Sequence, residues 1–276
     1  MMKQNKISKL FDLTGRNIIL TGSAGLLGSQ YAYTLSEAGA NVILVDLNEK
    51  ENKKLEKKLI RKYKTKAKSY TLDISNKKQV KKFKKEILSK YKIIHGLVNN
   101  AAYTTKGAKN SAPKTFGSFE TLSLEIWQKS IDINLTGSFL LSQEFGSVMA
   151  KQGKGVIVNI SSTYGLVGTD QRIYGNSGIN APVSYAVTKS GMLNLTRYLA
   201  AYWQGKNVRV NTLSPGGVMD KSYQNNTFIQ NYSNKTMLGR MARKNEYNGA
   251  LLFLLSDASS YMTGSNLIVD GGWTAW

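Results

Sequence analysis

Tyr185 and Lys189 stand four residues apart in Ser-Tyr-Ala-Val-Thr-Lys-Ser, inside a run whose pattern predicts a helix over 184–204. Residues at i and i+4 share one face of a helix, one turn apart. A phenol with its ordinary pKa of about 10 is a poor base at neutral pH, and a neighbouring ammonium favours the phenolate. The pair therefore makes a general acid/base able to move a proton to or from an alcohol oxygen.

A second cluster lies near the start of the chain. Strand-like Asn17–Thr21 runs into Gly22-Ser23-Ala24-Gly25-Leu26-Leu27-Gly28, and a helix is predicted over 26–38. In that context Gly22 permits a tight turn, Gly25 lets the backbone approach a pyrophosphate, and Gly28 permits close helix–strand packing. The helix N-terminus then offers free N–H groups and a partial positive charge to phosphate. Three glycines also make ordinary turns, and it is the place between first strand and helix that marks a dinucleotide turn. Asp46 ends the second strand. A carboxylate there accepts hydrogen bonds from the adenosine ribose and repels a 2′-phosphate, which favours NAD(H) over NADP(H). The alternative is that Asp46 caps the next helix, and Lys50, Lys53 and Lys54 keep NADP(H) open. An oxidised nicotinamide, itself positive, would further favour the Tyr185 phenolate.

These groups need a scaffold, and the chain supplies a repeating one. Short apolar runs predict strands at Asn17–Thr21, Val42–Asp46, Ser69–Leu72, Gly96–Asn99, Val156–Ile160, Arg209–Leu213 and Leu267–Val269. Helical patterns fall near 26–38, 50–64, 77–91, 123–151, 184–204 and 244–256. Such alternation predicts an α/β fold: a single-domain, doubly wound, Rossmann-like parallel sheet of about seven strands, with helices on both faces. Ligands of such sheets bind at the carboxyl ends of the strands, near the switch in strand order. Residues 1–12 read as an N-terminal extension to a domain filling 1–276. Segments 103–121, 163–183 and 216–240 are long, polar and poor in pattern, so they are expected to rim one pocket suited to a polar substrate.

The order of motifs resembles that of the classical short-chain dehydrogenase/reductase family over about residues 12 to 273. The matching features are the glycine turn, Leu72-Asp73-Ile74-Ser75, Asn99-Asn100-Ala101-Ala102 and Asn134 in Ile-Asn-Leu-Thr-Gly. They continue with Val158-Asn159-Ile160-Ser161-Ser162, Tyr185 with Lys189, Ser214-Pro215-Gly216, and Thr263-Gly264 with Val269-Asp270-Gly271-Gly272. The resemblance implies that Ser162 bonds the substrate oxygen and stabilises developing charge, and that Tyr185 exchanges the proton. It implies that Lys189 holds the nicotinamide ribose and that Asn134 holds a relay water. It also implies a cofactor site of Thr21, Gly22, Ser23, Gly25, Leu26, Leu27, Gly28, Asp46, Leu47, Asp73, Ile74, Asn100, Ala101, Ala102, Pro215, Gly216 and Val218, with Tyr185 and Lys189. Substrate contacts would come from Ser162, Tyr164, Arg172 and Tyr185.

Two features depart from the family pattern. The middle glycine is Gly25 where the family usually has it at the place of Leu26, a spacing more similar to the extended branch acting on nucleotide sugars. Ser162 and Tyr185 are 23 residues apart, longer than usual, and the extra residues fall in 164–183. With Thr-Asp-Gln-Arg-Ile-Tyr and Pro-Val-Ser-Tyr, this part resembles a sub-branch of flagellin-modification oxidoreductases of bacterial surface-sugar pathways, which implies a sugar or sugar-derived substrate. Arg172 there could pair with a phosphate or carboxylate, or be a solvated loop arginine.

Composition narrows the alternatives. No cysteine is present, which excludes a zinc–thiolate site, a cysteine nucleophile and a disulfide framework. No His/Asp/Glu cluster has metal spacing. His95, the only histidine, precedes a strand and reads as structural. The formal charge of +21 falls largely on amphipathic helices. Leu55, Leu59 and Tyr63 form one stripe and Val80, Phe83, Ile87 and Tyr91 another, with lysine outward. No arginine-rich, aromatic-interleaved stretch suggests specific nucleic-acid binding; the charge could instead speed encounter with an anionic substrate. No signal peptide or membrane span is read, so a cytoplasmic protein is expected. Trp273 and Trp276 suit either a subunit contact or a loose terminus, and the resemblance implies a homo-oligomer, dimer or tetramer. Two other readings stay open: a 3-oxoacyl or small-carbonyl reductase using NADPH, and a non-catalytic dinucleotide-sensing module.

Overall fold

Seven strands form one sheet in the computed structural model, which describes residues 6–103, 117–222 and 224–276. They are β1 (Asn17–Thr21), β2 (Asn41–Asp46), β3 (Ala67–Thr71), β4 (Gly96–Asn99), β5 (Gly155–Ile160), β6 (Val208–Pro215) and β7 (Asn266–Val269). All neighbours are parallel, in the order β3-β2-β1-β4-β5-β6-β7. The order reverses between β1 and β4, and a crevice opens there at the carboxyl ends. The α/β doubly wound architecture expected from the sequence is the one found. β3 begins two residues earlier than expected, because as an edge strand it is largely solvated and shows no apolar run.

The side chains of each strand alternate between two cores. In β1, Ile18 and Leu20 enter one core and Ile19 the other. The first core is covered by α2 (Leu26–Glu37), α3 (Glu49–Tyr63) and α8 (Asn248–Leu255). The second is covered by α4 (Lys77–Lys90), by α5 (124–152) and by α6 (Val183–Tyr202). Covering both faces is what a parallel sheet requires. The amphipathic stripes dock as expected: Leu55 and Leu59 of α3, and Val80, Phe83 and Ile87 of α4, are buried. A short α1 (Lys6–Leu10), in the N-terminal extension, buries none of its residues. Among the described residues no helix is long and apolar enough to cross a membrane.

Three local features differ from the expectation. The helix α5 is continuous but contains two π-turns, Asp132–Thr136 and Ser142–Gly146. Such turns often occur at functional sites. The segment 216–240 contains a helix, α7 (Asn226–Ser233), capped by the Asn225 side chain on the Phe228 N–H. Its sequence, rich in Asn, Thr and Ser, has low intrinsic helix preference; the signal that marks it is Asn225 ahead of Phe228, Ile229 and Tyr232. The last helix starts at Asn248, not at 244, because Glu246 is held by Arg240 and by the Arg243 N–H in a preceding turn.

Candidate active site

The glycine turn is fixed by contacts that only glycine permits. Gly22 has φ +63°, and a Cβ there would lie 2.7 Å from the Ala101 Cα. The Asn100 amide donates to the carbonyls of Thr21 (2.9 Å) and Gly22 (3.2 Å). Thr21 Oγ1 accepts from the N–H groups of Asn100 and Ala101 and donates to the Val98 carbonyl. Ser23 Oγ donates to Asn52 Oδ1 at 2.7 Å. Thr21 and Ser23, expected at the cofactor, are thus fully buried and brace the turn from behind, outside the cavity lining. Gly25 is the N-cap of α2, and no side chain caps it. The first turn of that helix therefore presents its N–H groups to the cavity, an arrangement suited to phosphate.

That cavity, of about 910 Å³, runs along the carboxyl ends of the strands. At one end it is lined by Gly25, Leu26, Leu27, Asp46, Leu47, Asp73 and Ile74. Asp46 accepts from the N–H groups of Ala24 (2.9 Å) and Asn48 (2.8 Å). The cap of α3 is Asn48, not Asp46, so the Asp46 carboxylate faces the cavity. Lys53 and Lys54 pair with Glu49 and Glu51, and none of Lys50, Lys53 and Lys54 lines the cavity. Asn100, Ala101, Ala102, Pro215, Gly216 and Val218 line its middle. The glycine cradle, the uncapped helix end and the pocket at Asp46 fit a nicotinamide dinucleotide.

Ser162, Tyr185 and Lys189 meet further along the same wall. Ser162 stands two residues beyond the end of β5, and its Oγ accepts from the Tyr164 N–H at 3.2 Å. A hydrogen bond with Ser162 favours the Tyr185 phenolate, but burial outweighs it and raises the phenol above its ordinary value. Lys189 is 4% exposed; its Nζ donates to the Ile160 carbonyl at 2.7 Å and lies 5.6 Å from the Tyr185 ring centroid. Burial lowers the Lys189 ammonium from 10.5 to about 8. Between these values the unfolded chain binds more protons than the folded one, so stability rises with pH there. From about pH 7.5 to 9.5 the unfolding free energy of the wild type should gain about 2 kcal/mol relative to Lys189→Met. Denaturant melts of both proteins across that range check this, and parallel curves would refute it.

Asn134 sits in the first π-turn of α5. Its Oδ1 accepts from the Tyr103 N–H at 2.6 Å, and its Nδ2 donates to the Tyr103 carbonyl and to Thr188 Oγ1. Its amide is therefore occupied in tying the chain after β4 to the helix that carries Tyr185. It lies outside the cavity lining, and the relay water expected there has no support from these bonds.

The far end of the cavity is aromatic. Tyr164, Tyr174 and Tyr232 line it, and Tyr232 stacks on Trp273 with centroids 4.2 Å apart. Trp273 is thus a core residue of this lobe, while Trp276 is exposed. The Tyr164 hydroxyl is buried without a hydrogen-bond partner among the described residues, and desolvation raises its pKa far above the ordinary phenol range. Arg172 is not brought to the cavity: its guanidinium makes two 2.8 Å bonds to Asp170 and its side chain is 81% exposed. Lys235 binds the same carboxylate at 2.7 Å. These bonds, Arg172 first, hold the Asp170 carboxyl well below the usual range, and the Lys235 bond staples the 163–183 segment to the chain after α7. Sequence reasoning missed Lys129, Gly217, Asp220, Gln224 and Phe228 in the lining. Most of 103–121 lies outside the described residues. His95 accepts from the Asn17 N–H at its Nδ1 and braces the start of β1, as expected of a structural histidine.

A doubly wound sheet with a phosphate turn at the switch point and a Ser–Tyr–Lys group on the adjoining wall defines a nicotinamide-dependent oxidoreductase. The chain belongs to the short-chain dehydrogenase/reductase family, and the family model described as enoyl-(acyl carrier protein) reductase matches residues 22–274. It is 31% identical over 261 residues to a post-translational flagellin modification protein A of Campylobacter coli, covering 95% of this chain and 99% of that one. A gluconate 5-dehydrogenase from Burkholderia cenocepacia J2315, solved with NADP and tartrate, superposes with a TM-score of 0.85 at 27% identity, over 98% of this chain and 99% of that one. A short-chain dehydrogenase from Leptospira borgpetersenii, solved with NAD+, gives 0.81 at 33% identity, over 99% and 98%. The protein is an NAD(P)-dependent oxidoreductase acting on CH–OH groups.

Proposed function

We propose that the protein transfers a hydride between NAD(H) and a polyhydroxylated alcohol or ketone, a sugar or sugar derivative used in building a bacterial surface glycan. The observation that carries the reaction is the Ser162–Tyr185–Lys189 group opening on a cavity that also contains the phosphate turn. The tyrosine-rich far end supports a substrate with several hydroxyls, and the flagellin-modification relative supports the setting. Exposed Phe139 on α5 and Tyr198 and Tyr202 on α6 support a homo-oligomer. We place the enzyme in the cytoplasm, where its cofactor is.

The bound nicotinamide supplies or takes up the hydride. The chain's own residues handle the oxygen and its proton. Ser162 Oγ, held by the Tyr164 N–H, donates to the substrate oxygen and stabilises charge that develops there. Tyr185 gives its proton to that oxygen in ketone reduction and takes it back in alcohol oxidation. Lys189, anchored on Ile160, would hold the ribose hydroxyls of the bound cofactor and keeps its ammonium beside the phenol. Asn134 ties the chain after β4 to the helix that carries Tyr185.

Titration with NADH and with NADPH, followed by nicotinamide fluorescence, tests the cofactor reading. NADH should bind more tightly, because the Asp46 carboxylate bonds ribose hydroxyls and repels a 2′-phosphate. In Asp46→Asn the charge is gone while one acceptor remains for the Ala24 or Asn48 N–H, and the NADH-to-NADPH preference should fall by roughly tenfold. A wild-type preference for NADPH would overturn the Asp46 reading and favour a small-carbonyl reductase. Binding of neither would sink the dinucleotide assignment.

A further inference from the structure

We propose that the substrate carries a negative group, a carboxylate or a phosphate, and that Lys129 on α5 binds it. This rests on the reading of the site above and adds its substrate class. Among the described residues two cations line the cavity, Lys129 and Lys189. Lys189 is buried and committed to the Ile160 carbonyl. Lys129 is exposed on the cavity wall, its Nζ 4.9 Å from the centroid of the Tyr103 ring. No carboxylate of the described residues forms an ion pair with it, and Asp132 is taken by the Gln128 amide at 2.8 Å. An ammonium resting on a ring face is held in place with its donors still available to an anion.

The position of Lys129 relative to the reacting oxygen follows from its neighbours. Ser184 Oγ donates to Ser130 Oγ at 3.0 Å. Lys129 and Tyr185 are thus each one residue from a bonded pair that joins their two helices. The Tyr103 backbone is fixed to the same helix pair through Asn134, which also bonds Thr188. The ammonium and the Tyr185 phenol are therefore carried by two joined helices and line the same cavity. Three acids line the same cavity: Asp46 and Asp73 flank the phosphate turn, and Asp220 follows β6, where its Oδ1 accepts from Ser222. The net charge of +21 adds a field that draws anions toward the opening.

Three open-chain probes that share one hydroxylated backbone separate the possibilities: neutral sorbitol, gluconate and sorbitol phosphate. Their affinities are measured by calorimetry, with and without NADH, for wild type, Lys129→Met and Lys129→Glu. The wild type should bind one or both anions roughly tenfold more tightly than sorbitol, the stronger arm identifying carboxylate or phosphate. Lys129→Met should erase that preference and Lys129→Glu reverse it. Lys57→Glu, on the exposed face of α3, makes the same change in net charge and should leave the preference in place. Equal or absent binding of the anions by the wild type, or a preference that survives Lys129→Glu, overturns the proposal. Loss of preference in Lys57→Glu as well would assign it to bulk charge and also overturn it. Failure of the oxidoreductase reading shows separately, as absence of NADH binding.

Discussion

Tyr185→Phe should lower kcat by about a hundredfold to ten-thousandfold, the range for loss of a positioned acid/base, while the Kd for NADH stays close to that of the wild type. The substitution removes one oxygen and keeps the ring, so no large cavity forms. Lys189 keeps its bond to the Ile160 carbonyl, and the glycine turn, Asp46 and Asn100 are untouched. What disappears is the hydroxyl that hydrogen-bonds with Ser162 and exchanges a proton with the substrate. Stopped-flow or steady-state turnover beside a fluorescence titration separates the two effects. A Tyr185→Phe protein with near-wild-type turnover would move the acid/base role to another group.

The direction of the pH dependence follows from the same residue. Burial raises the Tyr185 phenol above its ordinary value even though Ser162 opposes the shift. At neutral pH the residue is therefore protonated, which suits it to donate in ketone reduction. Alcohol oxidation needs the phenolate, and its rate should climb as pH rises through the alkaline range. Burial also takes the Lys189 ammonium down to about 8, so the two groups compete: the charge that stabilises phenolate is itself costly to keep. Bound cofactor ribose would give that ammonium further acceptors and favour its charged form.

What could be read from the residues alone depended on whether the cause was local. The strands were legible because a parallel strand covered on both faces is an apolar run, as in Val156–Ile160, whereas the solvated edge strand β3 lost its first two residues. The glycine turn was legible because Gly28 packs on the nearby Gly22 carbonyl and Gly22 needs a positive φ, although Ala101, far along the chain, also crowds Gly22. The Ser162–Tyr185 partnership, across 23 residues, came only from the order of motifs. The direction of the helix stripes was legible from their period, but that of polar side chains around the site was not. Thr21 and Ser23 stand beside the turn in sequence and point away from it in space. Arg172 looked available, but Asp170, two residues earlier, takes its guanidinium. Lys129 resembled every other lysine of a lysine-rich chain until the cavity wall set it apart.

Gly28→Ala should cost the protein both its cofactor and part of its stability, and Gly25→Ala should cost mainly the cofactor. A Cβ on Gly28 would lie 1.9 Å from the Gly22 carbonyl oxygen and 2.8 Å from its carbon. Both are backbone atoms, so no rotamer change relieves the clash, and α2 has to move off the turn. That carbonyl is also the acceptor for the Gly25 N–H and the Asn100 amide, so the shift breaks the bonds that set the loop. Overpacking of this kind costs about 1–3 kcal/mol or more, read as a lower midpoint in a denaturant melt. The helix N-terminus moves away from the pyrophosphate at the same time, and NADH affinity should fall by roughly a hundredfold. At Gly25 the added Cβ meets only the Gly22 carbonyl, at 3.2 Å, and φ is −74°, which any residue adopts. Its methyl therefore sits on the open helix end and asks the Gly22 carbonyl to give by only a few tenths of an ångström. Gly25→Ala should melt close to the wild type yet bind NADH at least tenfold more weakly. If both variants bound NADH as tightly as the wild type, the turn would be a structural corner and the phosphate site would have to lie elsewhere along the cavity.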